Sequence, residues 1–235
     1  MPELLLSVII PVGPDEKEVP PGLIDDLHFL PKASELIFVG CDPQQQVLQE
    51  NLSEQFPLYR SRWLYAEPGR AQQMNAGAKV AEGKFLWFLH LDSRFQPQLL
   101  DRLISNLQDK PDRLHYCLLE FLPDGPVDMG LNALGANLRS LLVGVPFGDQ
   151  GFAISKEQFE RIGGYPERVA YGEDHLFVWY ARQQGIGLLC CFESLQTSAR
   201  KYKKRGWWSL TLLYQQLWIK QAWPEFIELL RKRYF

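Results

Sequence analysis

Short apolar runs alternate along this chain with stretches whose apolar residues recur at helical spacing, and that rhythm predicts most of its elements. Leu4 to Val12 read as a buried strand, because the apolar run gives way after Pro11 to a loop rich in Pro, Asp and Glu. In residues 20–32, Leu23, Ile24, Leu27 and Leu30 fall at helical spacing and Pro31 stops the run. ELIFVGC at 35–41 is a second strand, whose end, Asp42, opens a short helix from Pro43 to about Leu52. RWLYAE at 62–67 is a third strand, and GRAQQMNAGAKVAEG at 69–83 reads as a helix with glycine at both ends. Phe85 to Leu91 form the next strand, Leu99, Leu100, Leu103, Ile104 and Leu107 mark a helix, and HYCLLEFL at 115–122 is a strand again.

The second half is more mixed. Residues 129–144 are helical in pattern, GFAIS at 151–155 is a short strand, and KEQFERIGG at 156–164 is a helix ended by glycines. EDHLFVWYARQQG at 173–185 is a helix that starts on two acids and ends on glycine, as a helix dipole prefers. The alternation predicts an α/β fold, a mostly parallel central sheet with helices on both faces plus a C-terminal helical segment. Residues 1–205 are expected as one domain and 206–235 as an appendage. Ligands of open parallel sheets bind beyond the carboxyl ends of the strands, which here are Pro11 to Gly13, Asp42 and His90 to Ser93.

Composition narrows the partners. The 235 residues, 46% of them hydrophobic, are enough for one substantial core, and a net charge of −3 lacks the basic surface that a general nucleic-acid binder needs. That charge is unevenly spread: residues 200–235 hold nine basic residues against Glu225 and Glu228, a net +7, which leaves −10 for the rest. In this tail Trp207, Trp208, Leu210, Leu212, Leu213, Leu217, Trp218 and Ile219 cover more than one helical face behind a basic cluster. Two readings fit, a helix packed on the domain behind a solvated basic loop, or peripheral contact with a membrane surface. Cys41, Cys117, Cys190 and Cys191 lie in apolar, strand-like stretches without the paired spacing of a zinc site, as small core residues of a reducing cytoplasm do. The segment MPELLLSVIIPVG opens on an acid, lacks a basic n-region and reads as strand rather than signal peptide. The expected location is the cytoplasm, either free or at the inner membrane face.

The candidate chemistry lies at the carboxyl edge. Strand alternation points His90 and Asp92 the same way, with Leu91 opposite. One carboxylate beside an imidazole suits a divalent cation with positions left open for phosphate oxygens, Mn2+ more naturally than Mg2+; a plain strand end with a turn cap explains the same pair. Arg70 follows a glycine at a helix start, where free backbone N–H groups and a guanidinium make an anion site; an exposed polar face is the other reading, to which Gln72 and Gln73 can belong. The chain has neither a Walker-type lysine loop nor G-x-G-x-x-G. Asp149 and Gln150 between two glycines either bring backbone close to a ligand or make a tight turn. Glu173 and Asp174 at a helix start are favoured there by the dipole alone, and become functional if the site calls for a base.

Six segments in order carry a family resemblance: GRAQQMNAGA (69–78), FLHLDSR (88–94), GANLRS (135–140), GDQG (148–151), ED (173–174) and TSAR (197–200). From Ser7 to about Arg205 the chain resembles a family 2 glycosyltransferase of the GT-A fold, in a small bacterial subgroup with these signatures. The resemblance implies a nucleotide-sugar donor whose base and ribose meet Pro11, Val12, Gly13 and Asp42, with Leu91 beside them and Arg70 and Asn75 completing the donor site. It implies Asp92 as the aspartate that holds a divalent cation, Mn2+ or Mg2+, with His90 standing where the family's D-x-D has its first acid. Asp174 matches the catalytic base, Arg200 would approach the pyrophosphate, and Gly148, Asp149, Gln150 and Glu173 would line the acceptor side.

The implied reaction is an inverting transfer, in which Asp174 takes the proton of an acceptor hydroxyl as it attacks the anomeric carbon opposite the departing nucleoside diphosphate. The chain departs from the family where Gly13-Pro14-Asp15-Glu16 replaces the usual Asn-Glu after the first strand. Two other functions compete with transfer. One is a non-catalytic nucleotide-sugar or membrane-surface binding protein, which the shortened D-x-D permits. The other is a sugar-phosphate nucleotidyltransferase, whose glycine-rich N-terminal loop ending in arginine and lysine the chain does not contain.

Overall fold

The first apolar run forms an interior strand, third of seven across a single sheet. The computed structural model describes residues 5–126, 128–205 and 207–234, with the backbone course alone for residues 46, 47, 49, 51, 204, 205, 207, 208, 210 and 234. The side chains of Trp207, Trp208 and Leu210, and the first four residues of the N-terminal segment read as strand, therefore lie outside the description. The chain runs β1 (Leu6–Pro11), α1 (Pro21–Leu27), β2 (Ser34–Gly40), α2 (Gln46–Gln55), β3 (Arg60–Tyr65), α3 (Arg70–Val80) and β4 (Phe85–Phe88). It continues through α4 (Pro97–Asp109), β5 (Leu114–Phe121), α5 (Met129–Leu138), β6 (Ala153–Ser155) and α6 (Lys156–Ile162). The last elements are α7 (Glu173–Gln183), β7 (Leu188–Thr197), α8 (Arg200–Arg205) and α9 (Trp207–Tyr234).

The strand order is β3-β2-β1-β4-β6-β5-β7, and every pairing is parallel except those of β6, which runs antiparallel between β4 and β5. The mostly parallel sheet read from the sequence is the one that forms. Leu6, Val8 and Ile10 project into one core layer with Leu23, Leu27, Leu99 and Leu103, whereas Ile9 meets Met74, Ala78, Phe159 and Phe177 in the other. Both faces of β1 are thus buried, which is why it reads as an unbroken apolar run.

Several boundaries shift by a few residues from the sequence reading, two of them next to the site, and one strand is not predicted. The strand expected over 85–91 ends at Phe88; Leu89 N still donates to Ile9 O at 3.0 Å, and then the chain turns, with Ser93 N donating to His90 O at 3.1 Å. The helix expected over 129–144 stops at Leu138 and continues as a π turn, Arg139–Val143, closed by Gly144 in the left-handed region at φ 71. No element was assigned over β7, because a bulge opposite Tyr116 and Leu118 and a left-handed Phe192 at φ 58 break the two-residue alternation that marks a strand.

Helix α9 lies against α7. Trp179 and Ala222 share a small apolar cluster, the Trp179 and Phe226 rings are 6.3 Å apart, and Gln183 Nε2 donates to Glu225 Oε2 at 2.8 Å. None of the described helices is long and apolar enough to cross a membrane.

Candidate active site

A cavity of about 910 Å3 opens where the ends of β4, β5 and β7 meet α5, α7 and α9. Of the residues singled out in the sequence, it brings together Arg70, His90, Asp92, Asp149, Glu173, Asp174 and Arg200. Because β4 ends early, His90 and Asp92 sit on a turn rather than on a strand, yet the alternation survives: both line the cavity while Leu91 is buried in the core.

That turn is anchored from below. Asp26, buried in α1, accepts from Arg94 Nε at 2.7 Å, from Arg94 Nη2 at 3.0 Å and from Phe95 N at 2.9 Å. The bidentate pair raises the Arg94 pKa and fixes the chain two residues past Asp92. Arg94 and Gln196 exchange backbone hydrogen bonds at 2.9 Å, which brings Thr197 alongside, and its Oγ1 donates to Asp92 Oδ1 at 3.3 Å. Asp26→Ala leaves the guanidinium and the Phe95 N–H without their acceptor, so it is expected to cost about 3 kcal/mol of unfolding free energy, measured by urea titration. The His90 imidazole is held well below its ordinary pKa, by burial first and then by the charges of Arg70 and Lys201. It is therefore neutral near pH 7.

Opposite lies the acid cluster. Asp174 Oδ2 accepts from Gly148 N and Oδ1 from His175 N, both at 2.7 Å, so the carboxylate is clamped between α7 and the turn at 148–150. Gln150 holds the turn: its Nε2 donates to Cys117 O at 2.9 Å, and its Oε1 accepts from Ser140 Oγ at 2.7 Å and Phe147 N at 3.1 Å. A Cβ on Gly148 would lie 3.2 Å from Asp174 and 3.3 Å from His90 Nε2, so an alanine must displace one of them by a few tenths of an ångström. Burial raises the pKa of both Asp149 and Glu173; Asp174 adds to each, while Lys201 opposes the rise at Asp149.

Cations face these acids. Arg200 is steered by a relay in which Asp124 accepts from Ser198 Oγ at 2.6 Å and Ala199 N at 2.8 Å, and Ser198 Oγ accepts from Arg200 Nε at 2.9 Å. Lys201 lines the cavity with its Nζ 5.4 Å from the Tyr214 ring centre. Arg139 lies with its guanidinium 3.5 Å over the Phe147 ring, and its Nη2 is buried with no hydrogen-bond partner among the described residues. Sequence reasoning gave no role to Lys201, Arg139, Thr197 or the Asp15 and Glu16 side chains that also line the cavity. The signal for the first three was their place inside or beside quoted motifs.

The remaining residues lie elsewhere. Pro11, Val12, Gly13 and Asp42 sit at the ends of β1 and β2, outside the cavity lining, in a corner tied by two glutamines. Gln73 Nε2 donates to Val12 O at 2.8 Å and Val39 O at 2.6 Å; Gln45 Nε2 donates to Gly13 O at 2.5 Å, while its Oε1 accepts from Asp42 N at 3.2 Å. The Asn75 amide is spent on the loop before α7, donating to Tyr165 O at 2.9 Å and Glu167 Oε1 at 2.8 Å and accepting from Tyr165 N at 2.9 Å. Among the described residues no group of three or more His, Cys, Asp or Glu side chains is placed to hold a metal ion. Asp92 and His90 fit a cation as a partial set, the usual arrangement for Mg2+ or Mn2+ when substrate phosphates complete the shell.

No family model matches the chain. A Haemophilus influenzae protein described as an uncharacterized glycosyltransferase is 25% identical over 186 residues, covering 74% of this chain and 60% of that protein. The mannosyltransferase PcManGT of Pyrobaculum calidifontis, solved with GDP-Man and Mn2+, superposes with a TM-score of 0.64 at 18% identity, over 86% of this chain and 58% of that one. Residues 1–349 of S. aureus TarS, solved with UDP-GlcNAc, give 0.62 at 17% identity, over 83% and 58%. The chain thus spans about three fifths of the length of these relatives. It shares sequence with a protein described as a glycosyltransferase, and its fold is the GT-A-like fold of the two solved structures.

Proposed function

We propose that the chain is an inverting, metal-dependent glycosyltransferase of family 2, which moves a sugar from a nucleoside-diphosphate donor to a hydroxyl acceptor. The observation that carries this reading is the convergence of Arg70, His90, Asp92, Asp174 and Arg200, far apart in sequence, on one cavity at the carboxyl edge of the sheet. The similarity to a glycosyltransferase supports the same reaction class, and the nucleotide-sugars bound by the two structural neighbours support the donor class.

Asp174 is the base. Each of its oxygens accepts one backbone N–H, which fixes the carboxylate and leaves further lone pairs for an acceptor O–H. As the acceptor oxygen bonds to the anomeric carbon, its proton passes to Asp174 and the bond from that carbon to the diphosphate oxygen breaks with the electron pair leaving on oxygen. Glu173, whose pKa burial raises, lines the cavity beside Asp174 on the proposed acceptor side. Arg70, Arg200 and Lys201 provide fixed positive charge where negative charge collects on the leaving diphosphate. A divalent cation bound by Asp92 and His90 would supply further neutralisation of that group. The Pro11–Gly13 and Asp42 corner is the candidate seat for base and ribose.

A thermal-shift panel of GDP- and UDP-sugars with Mn2+ tests the reading, because a ligand of the native state raises its melting temperature with affinity and dose. At least one donor at millimolar concentration is expected to raise the midpoint. A panel that leaves it unmoved contradicts the proposal.

A further inference from the structure

We infer that α5, the π turn that extends it, and α9 form a docking face for an anionic lipid bilayer at the rim of the cavity. The two helices run the same way on either side of the cavity's mouth and touch at two points. Asn132 Nδ2 on α5 donates to Thr211 Oγ1 on α9 at 3.0 Å, and two helical turns further along both, the Arg139 guanidinium lies 5.9 Å from the Trp218 ring centre. Leu131 on the first helix and Thr211 and Tyr214 on the second line the cavity, so the pair frames its mouth.

The outward side of this pair is apolar. Leu131, Leu134, Leu138, Leu141 and Leu142 are exposed at three- and four-residue spacing, and α9 answers with Ile219, Trp223, Phe226 and Leu230 in the same rhythm. Leu142 is 79% exposed and Trp223 65%. The polar side chains of the 129–143 stretch bond inward instead. Asn132 reaches Thr211, Asn137 exchanges hydrogen bonds with the Leu119 backbone at 2.8 and 3.0 Å, Ser140 donates to Gln150, and Arg139 Nε donates to Val145 O at 2.9 Å. A helix that faces water puts its leucines in and its charges out; this one does the reverse, which marks an interaction surface.

Charge selects the occupant. α8 brings five basic residues in six positions to the start of α9; Arg200 and Lys201 turn into the cavity, Lys203 is exposed to solvent, and residues 200–235 carry +7 against −10 on the remainder. A second copy docked symmetrically through this face would set those like charges against each other. A bilayer rich in anionic lipid instead takes leucine and tryptophan at the headgroup boundary and the lysines and arginines at its phosphates. The contact is peripheral, made by helices lying on the surface. It stands whether or not the cavity transfers sugar.

Sedimentation of the whole chain with phosphatidylcholine vesicles, with and without phosphatidylglycerol, tests the inference. Binding is expected with the anionic vesicles, weakened by salt, and reduced roughly tenfold or more by Leu142→Glu/Trp223→Glu at an unchanged melting temperature. Lys203→Glu, a surface change, is expected to weaken binding to the anionic vesicles alone. Wild-type chain that stays in the supernatant with anionic vesicles, or a double variant that sediments as the wild type does, overturns the proposal. So does a solution dimer that the double variant disperses, which would make a second copy the occupant. The donor-induced thermal shift of the double variant keeps the two proposals apart, since it is expected to match the wild type.

Discussion

Asp174→Asn is expected to lower sugar transfer by about 10²- to 10⁴-fold while the donor-induced thermal shift stays close to the wild-type value. The amide keeps one oxygen to accept from Gly148 N or His175 N, so the 148–150 turn and the start of α7 lose one acceptor and hold their place. What disappears is the group that takes the acceptor proton. A general base acts only in the chemical step, so kcat and kcat/KM should fall together. Steady-state kinetics of the purified variant check this. A variant that transfers at the wild-type rate would remove Asp174 from the chemistry and return its carboxylate to the role of a helix-start clamp.

The second large effect belongs to Asp92→Ala. On the proposed function, Asp92 and His90, which both line the cavity, hold Mn2+ together with diphosphate oxygens, so Mn2+ is expected to tighten nucleoside-diphosphate binding in the wild type. Without the carboxylate, His90 alone is left, and the Mn2+-dependent part of binding should fall by about 10- to 100-fold. The metal-independent part, carried by Arg70, Arg200 and Lys201, should persist. Calorimetric titration of GDP or UDP with and without Mn2+ separates the two. Thr197, whose hydroxyl donates to Asp92, survives the change, so the melting temperature should move little.

The layered fold was legible because its signal is local and periodic. β1 and β2 are buried on both faces and read as apolar runs, while α4 shows its buried leucines at helical spacing. β7 was hidden by its bulge and left-handed Phe192, and the π turn after α5 by a residue pattern that also fits an α-helix. At the site, the short polar signatures pointed to His90, Asp92 and Asp174, because each interrupts an apolar context or opens a helix. Their supports were not legible. The acceptor that holds Arg94 is Asp26, 68 positions away, and the partner of Asp92 is Thr197, 105 away. Asn75 shows the converse: the family resemblance marks it for the donor site, and the fold gives its amide to residues 90 and 92 positions further on.

On the proposed function, the cavity at the carboxyl edge activates the anomeric carbon of a nucleotide sugar. Release of nucleoside diphosphate from a panel of GDP- and UDP-sugars in Mn2+, with the wild type, Asp92→Ala and Asp174→Asn run side by side, tests it most directly. Release is expected from at least one donor with the wild type, accelerated by the right acceptor, and is expected to be lost in both variants. No release from any donor, or release that both substitutions leave unchanged, would contradict it.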